Sequence, residues 1–140
     1  MRRAVPMLVG MFAVACFCGQ AAADQGDIVI GGKVPIRIRA GTPDFQAEQR
    51  VLIVTRRLVE VISYEDTQKP EVRIVTEKGT PAIYVGKHLL VTVHQNDAQA
   101  NGTTPGRLAQ AWARNLKEAL PLVTPQSKMP GFDPAKEAVM

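Results

Sequence analysis

The chain has 140 residues, of which 17 are basic and 13 acidic, giving a formal net charge of +4. This length predicts one domain, and so mild a charge argues against a nucleic-acid-binding protein. The two cysteines, Cys16 and Cys18, lie in a leader that we expect to be removed. The mature chain would then have no disulfide, and its fold would depend on the apolar core alone.

The first 23 residues have the pattern of a secretory signal peptide. Two arginines follow Met1, residues 4–17 are apolar, and three alanines end the segment. We expect cleavage between Ala23 and Asp24, and hence an exported protein in the periplasm or outside the cell. Two alternatives stay open: a retained leader that anchors the chain in the membrane, and a lipoprotein anchored at Cys16.

The first elements after the leader form a predicted β-hairpin around Gly31-Gly32. We prefer a three-residue loop, Gly31 to Lys33, because it pairs Ile30 with Val34 and Ile28 with Ile36 and keeps the apolar side chains on one face.

A long helix is then expected to open at Thr42-Pro43-Asp44, since threonine caps helices and proline suits the first helical position. Its apolar stripe runs from Val51 to Ile62, and Arg50, Arg56 and Arg57 are expected on the solvated side.

Three further strands are predicted in the centre of the chain. Residues 71–76 form the first, which turns at Lys78-Gly79 into a hairpin over residues 81–93. The second turn is Gly86-Lys87, which pairs Tyr84 with Leu89 and Ala82 with Val91.

After the strands, a short capped turn begins at Asn96 or Asp97. A second long helix then runs from Thr104-Pro105 to Pro121, with Trp112 as a core residue. The proline-rich residues 122–140 are expected to be disordered.

These elements predict an α+β fold. We expect a small mixed or antiparallel sheet of about five strands with two long helices, in the order β-β-α-β-β-β-α, within one domain over residues 24–121. If both helices cover one sheet face, the other face carries Ile83, Val85 and Leu90. We therefore expect these three residues to form an exposed or interface patch.

The sequence contains no recognised catalytic, nucleotide-binding or metal-binding motif after the leader, so no enzyme activity and no cofactor is expected. His88 and His94 would lie ~20 Å apart on one extended strand, too far to share a metal ion. A small hydrolase would need a pocket that joins one of these histidines to a carboxylate. Three arginines on predicted strands are candidate anion contacts, although edge protection is their commoner role: Arg37, Arg39 and Arg73.

Several segments together resemble an extracytoplasmic region that precedes the membrane domain of some bacterial small-conductance mechanosensitive ion channel proteins, and that also occurs as short secreted proteins of unknown function. The resemblance covers about residues 27–121 and depends on Gly32–Arg39, Ala47–Arg50, Arg57-Leu58, Ile83–Gly86, Val91–Val93, Asp97-Ala98, Gly102, Leu108-Ala109, Leu116 and Ala119-Leu120. It implies a periplasmic accessory or interaction module and no catalytic residue. Because we find no membrane-spanning stretch after the leader, it does not imply a channel.

The sequence thus predicts an exported, non-enzymatic domain that contacts an unknown protein or envelope partner, or a second copy of itself. Membrane association is expected only if the leader is retained or Cys16 is lipidated. The alternative is a secreted protein that binds a small anionic ligand or an envelope polymer through the strand arginines, with salt-sensitive binding.

Overall fold

A computed structural model describes residues 26–123, which form an α+β fold with antiparallel strands. Five strands and three helices occur in this part of the chain: β1 (Asp27–Ile30), β2 (Lys33–Arg37), α1 (Ala47–Tyr64), β3 (Val72–Glu77), β4 (Thr80–Val85), β5 (His88–Thr92), α2 (Gln95–Ala100) and α3 (Pro105–Ala119). A 3₁₀ turn, Leu120–Leu122, follows α3. The strands and long helices follow the predicted order, but they form two sheets, β1-β2 and β3-β4-β5, where one sheet was predicted.

The first hairpin differs from prediction in its loop. Ile28 pairs with Ile36 as predicted, but Ile30 pairs with Lys33, so the loop has two residues and the predicted Ile30–Val34 pair is wrong. Gly31 and Gly32 have φ values of +55° and +80°, as a type I′ turn requires. A β-bulge places one extra residue of β2 between these two pairs, so Ile28 still faces Ile36 despite the shorter loop, and Ile28, Ile30 and Ile36 are all buried.

The second hairpin also contains a bulge, and this one changes which sheet face is buried. Tyr84 pairs with Leu89 as predicted, but Ile83 pairs with Val91, so the predicted Ala82–Val91 pair is wrong. Direct partners share a face, so Val91 lies on the side of Ile83.

The predicted exposed patch is therefore wrong. Ile83, Val85 and Leu90 have relative exposures of 0%, 1% and 0%. The bulge in β5 places the side chain of Val91 on the same sheet face as these three residues. This face is therefore the more apolar of the two faces of the sheet. The helices pack over this face, with α1 against β5 and α3 against β3 and β4. These three residues belong to the core and offer no surface to a partner.

Helix α1 begins later than predicted. Its N-cap is Gln46, whose backbone N–H donates to Oε1 of Gln49 at 2.9 Å. Thr42 instead closes a turn, because its hydroxyl accepts the Phe45 N–H at 3.2 Å and its own N–H donates to the Phe45 carbonyl. The second long helix begins as predicted: Thr104 caps α3 by accepting the Arg107 N–H, and Pro105 is its first residue.

One core joins both sheets and the helices. The prediction of Trp112 as a core residue is confirmed, because only 3% of it is exposed. The core takes residues from every strand and from both long helices, among them Ile28, Ile36, Val54, Leu58, Val61, Val72, Ile83, Leu90, Leu108, Trp112 and Leu116. Among residues 26–123, no helix has the length and apolarity needed to cross a membrane.

Candidate functional site

A buried ion pair joins α1 to α2. The guanidinium of Arg50 donates two hydrogen bonds to the carboxylate of Asp97, at 2.6 and 2.7 Å. The two side chains are 8% and 0% exposed. Arg50 also donates to the carbonyls of Ala40 at 2.6 Å and Thr92 at 3.3 Å, and Asp97 accepts the His94 N–H at 2.9 Å.

This network fixes four segments of the chain against each other: the loop before α1, α1 itself, the end of β5 and the start of α2. A buried charge is tolerated only when it is paired and hydrogen-bonded, and bidentate arginine–carboxylate contacts are the strongest of this kind. We therefore conclude that the Arg50–Asp97 pair holds the surface around it in one conformation.

The sequence analysis placed Arg50 on the solvated side of α1, which is wrong. Arg50 does lie next to the apolar stripe, but 47 residues separate it from Asp97 and no local pattern connects them. Asp97 was predicted as a residue of the helix N-terminus, and it is the third residue of α2. Its second role, as the buried partner of an arginine, depends on tertiary packing alone.

A cavity of about 140 Å³ lies beside this pair, between α1 and the end of β5. Its lining combines apolar and cationic side chains: Thr42, Phe45, Arg50, Ile53, Val54, Arg57, Val91, Thr92 and His94. Among the described residues, no ion pair engages Arg57. We call this the α1–β5 cavity. Its volume suits a few water molecules or one small oxyanion.

A second cluster lies at the other end of α1. Glu65 accepts the Lys87 N–H at 3.0 Å, and its Oε1 lies 2.9 Å from Nδ1 of His88. The ring of Tyr64 stacks on His88, with centroids 5.9 Å apart. The Lys87 N–H bond first, and then the His88 contact, lower the pKa of Glu65 below its ordinary value.

The condition that we set for a hydrolase, a histidine joined to a carboxylate, is thus met by His88 and Glu65. The shallow pocket beside this pair is lined by Tyr64, Glu65, Lys87 and His88. None of these described lining residues is a serine, threonine or cysteine that could act as a nucleophile. A His–Glu pair acts as a general base only when it reaches the proton of a reacting group. Through the contacts of Glu65 with Lys87 and His88, the cluster attaches the β4–β5 turn to the end of α1.

His94 lies at the N-cap of α2, six residues after His88, and it does not belong to the lining of the pocket beside Glu65. Among residues 26–123, no group of three metal-ligating side chains lies close enough together to hold an ion.

The three arginines predicted on strands do not form one group, and Arg39 lies outside a strand, because β2 ends at Arg37. Arg37 and Arg39 lie 3.9 and 2.9 Å from Oδ1 of Asp27. Arg73 lies in the other sheet, where it donates to the Gly86 carbonyl at 2.8 Å and its guanidinium carbon is 6.0 Å from the centre of the Tyr84 ring. Each arginine thus has partners within the chain, and their role as anion contacts stays a prediction.

The outward side of α1 carries apolar side chains that the core does not use. Leu52 is 67% exposed and Val59 is 58% exposed. They are seven residues apart, which places them on one side of the helix two turns apart. Glu48 and Arg56 are exposed on the same side. We call Glu48, Leu52, Arg56 and Val59 the outer row of α1, and sequence analysis did not single it out.

The leader residues, including Cys16, Ala23 and Asp24, lie outside the described residues, as do residues 124–140. Export, cleavage and lipidation therefore stay predictions.

The described part of the chain is a small α+β domain. Its most distinctive features are the buried Arg50–Asp97 pair, the α1–β5 cavity and the outer row of α1. Residues 27–121 match the family described as Domain of unknown function (DUF8459), and the chain belongs to this family. No curated protein and no solved structure matches the chain at a significant level. The resemblance to channel-associated regions stays a prediction.

Proposed function

We propose that this protein is an exported, non-enzymatic interaction module that binds a protein partner in the cell envelope through the outer row of α1. The observation that supports this most is the exposure of Leu52 and Val59, at 67% and 58%, on one side of a helix whose other side is already packed. Single exposed apolar residues are common, but two that are aligned on one side of a helix, two turns apart, suit a surface that binds another helix or a groove.

The second part of the proposal is export, and the first 23 residues support it. Their basic start, short apolar stretch and three alanines support export, and cleavage after Ala23 would release a chain that begins at Asp24. Intact mass of the protein from soluble and membrane fractions of its host tests this. A soluble species starting at Asp24 supports export. A species that starts at Met1, or one lipidated at Cys16, would replace it with a membrane-tethered module.

Site-specific photocross-linking tests the interaction itself. A photoreactive amino acid at Leu52 of the full chain should give a discrete adduct in intact cells. The matched control is the same amino acid at Lys117, an exposed position on α3. Equal adducts at both positions, or none at Leu52, would refute the outer row as a binding surface.

A second function is favoured by a different observation, the cationic lining of the α1–β5 cavity. Arg50 and Arg57 line a space of about 140 Å³, and Arg57, unlike Arg50, has no ion-pair partner among the described residues. We propose a small carboxylate or phosphate as the ligand of this alternative, since arginine binds both groups well.

Titration with inorganic phosphate and with acetate, followed by NMR shifts of the cavity residues, tests this alternative. Binding should weaken with added salt and fall by at least about tenfold in Arg57→Met, because one charge-assisted contact is worth ~1.5–3 kcal/mol. Arg114→Met, an exposed change on α3, should leave binding unchanged. Equal shifts in both variants would show nonspecific anion binding and refute the site.

A further inference from the structure

We propose that the partner of the outer row of α1 is a second copy of this chain, bound as an antiparallel α1–α1 pair with its two-fold axis beside Leu52. This inference depends on the proposed function, since it takes the outer row to be a binding surface, and it names the occupant of that surface.

The symmetry of the outer row supports a self-complementary contact. In a two-fold interface the same surface meets itself, so a two-fold axis beside Leu52 brings each residue opposite the one equally far on the other side of Leu52. Glu48 lies four residues before Leu52 and Arg56 four residues after it. Glu48 therefore faces the partner's Arg56, and by symmetry Arg56 faces the partner's Glu48.

The apolar residues follow the same arrangement. Leu52 meets the partner's Leu52 at the centre, and Val59 lies two helical turns from it toward each end of the contact. Both residues are exposed within the single chain. The result is an apolar centre with two opposite-charge pairs beside it, which is the usual composition of a specific helix–helix interface.

Other registers along the same row are less complementary. An axis midway between Leu52 and Val59 would pair Leu52 with the partner's Val59, but it would leave Glu48 opposite Ser63 and Arg56 opposite Thr55, so neither charge would be paired. An axis beside Val59 would leave Leu52 without a partner residue, because the position opposite it lies beyond Tyr64, where α1 ends. Of these three axes, only the one beside Leu52 combines an apolar centre with opposite charges that face each other, and charge pairing of this kind selects register.

Charge reversal tests the register in the purified full chain, with the dimer measured by sedimentation. Glu48→Arg alone and Arg56→Glu alone should each weaken the dimer by about tenfold or more, because each places like charges opposite each other twice. The double variant should restore it. Within one helix these two residues are eight positions and ~12 Å apart, so no contact inside one chain explains a restoration.

Cysteine cross-linking tests the position of the axis. In a full chain with Cys16 and Cys18 changed to Ala, Leu52→Cys should form a disulfide-linked dimer under mild oxidation. Lys117→Cys is the matched control and should form far less. A chain that stays monomeric at high concentration, a double variant that is not restored, or the absence of a cross-link at Leu52 would overturn the inference.

The outcomes separate this inference from the proposed function. An in-cell adduct at Leu52 with the mass of two chains supports both. A heavier adduct keeps the proposed function but overturns the second copy as the partner. A monomeric mass for the Leu52→Cys variant, with its introduced thiol resistant to alkylation, would show that another part of the same chain covers the row, which overturns both.

Discussion

The contacts of single residues explain why Arg50 and Asp97 tolerate burial. The carboxylate accepts two guanidinium hydrogen bonds and one backbone N–H, and the guanidinium reaches two carbonyl oxygens as well. A buried pair of this type often adds little net stability compared with apolar residues of similar size, but it is costly to break. Its main effect is to define one arrangement of the surrounding segments.

Arg50→Met should destabilise the fold by ~3–5 kcal/mol, because it leaves the Asp97 carboxylate buried without its cation. Urea unfolding followed by circular dichroism measures the change. The double variant Arg50→Met with Asp97→Leu should recover much of the loss, since no unpaired charge remains. Arg114→Met, on the exposed side of α3, should change the free energy of unfolding by no more than about 0.5 kcal/mol. Equal losses in the single and double variants would contradict this explanation.

Tyr84 should titrate above the ordinary range of a tyrosine. Its hydroxyl donates to Oε1 of Glu77 at 2.5 Å, and this hydrogen bond to a carboxylate is the main cause that raises its pKa. Because the folded-state pKa lies above the unfolded value, the bond contributes its full stability below about pH 10 and loses it as the pH rises through the raised pKa.

Phenolate absorbance measures this shift. The chain has two tyrosines, so Tyr64→Phe leaves Tyr84 as the only reporter. Glu77→Ala in that background should lower the pKa of Tyr84 toward the ordinary value. An unchanged titration would show that the carboxylate is not the cause.

The turns show how backbone conformation and side-chain contacts combine within one element. Gly86 and Gly79 both occupy two-residue hairpin turns and have φ values of +57° and +80°. A Cβ on Gly86 would overlap the carboxylate of Glu65, whereas a Cβ on Gly79 would have no atom within 4 Å. Both positions therefore require a residue with a positive φ, but only Gly86 lies against another side chain, that of Glu65.

Gly79→Ala should cost ~1–2 kcal/mol, the strain of a left-handed residue other than glycine. Gly86→Ala should cost more, because Glu65 must also move and give up its contacts with Lys87 and His88. Thermal unfolding of both variants measures the difference. Adding Glu65→Ala to each variant should bring the two costs closer together. Equal costs in the two single variants would show that the Glu65 contact is unimportant.

Local patterns predicted the elements better than their pairing. Glycine turns, the Thr104-Pro105 start of α3 and the periodicity of apolar residues are all local, and they located five strands and two long helices. The bulge in β5 has no such signal, yet it moved Val91 to the other face of the sheet. That one-residue change reversed the prediction of which face is buried.

At the scale of the whole molecule, the division into two sheets also depended on information that the sequence pattern does not contain. Both hairpins were predicted, but whether they join is decided by how the helices pack between them. In the structure, α3 contacts β2 in one sheet and β3 and β4 in the other. The same is true of the candidate site, since the Arg50–Asp97 pair and the α1–β5 cavity arise only when distant segments meet.

Leu90 and Leu52 distinguish the corrected core from the proposed surface. Leu90 is fully buried, so Leu90→Asp places a carboxylate in an apolar core and should unfold the domain, whose total stability is expected to be ~5–15 kcal/mol. Leu52 is 67% exposed, so Leu52→Asp should keep the circular dichroism spectrum and the melting temperature of the single chain while it abolishes binding through the outer row. Comparing the spectra and sedimentation of the two variants tests both statements. If Leu90→Asp stayed folded, or Leu52→Asp unfolded, the assignment of these residues to core and surface would have to be exchanged.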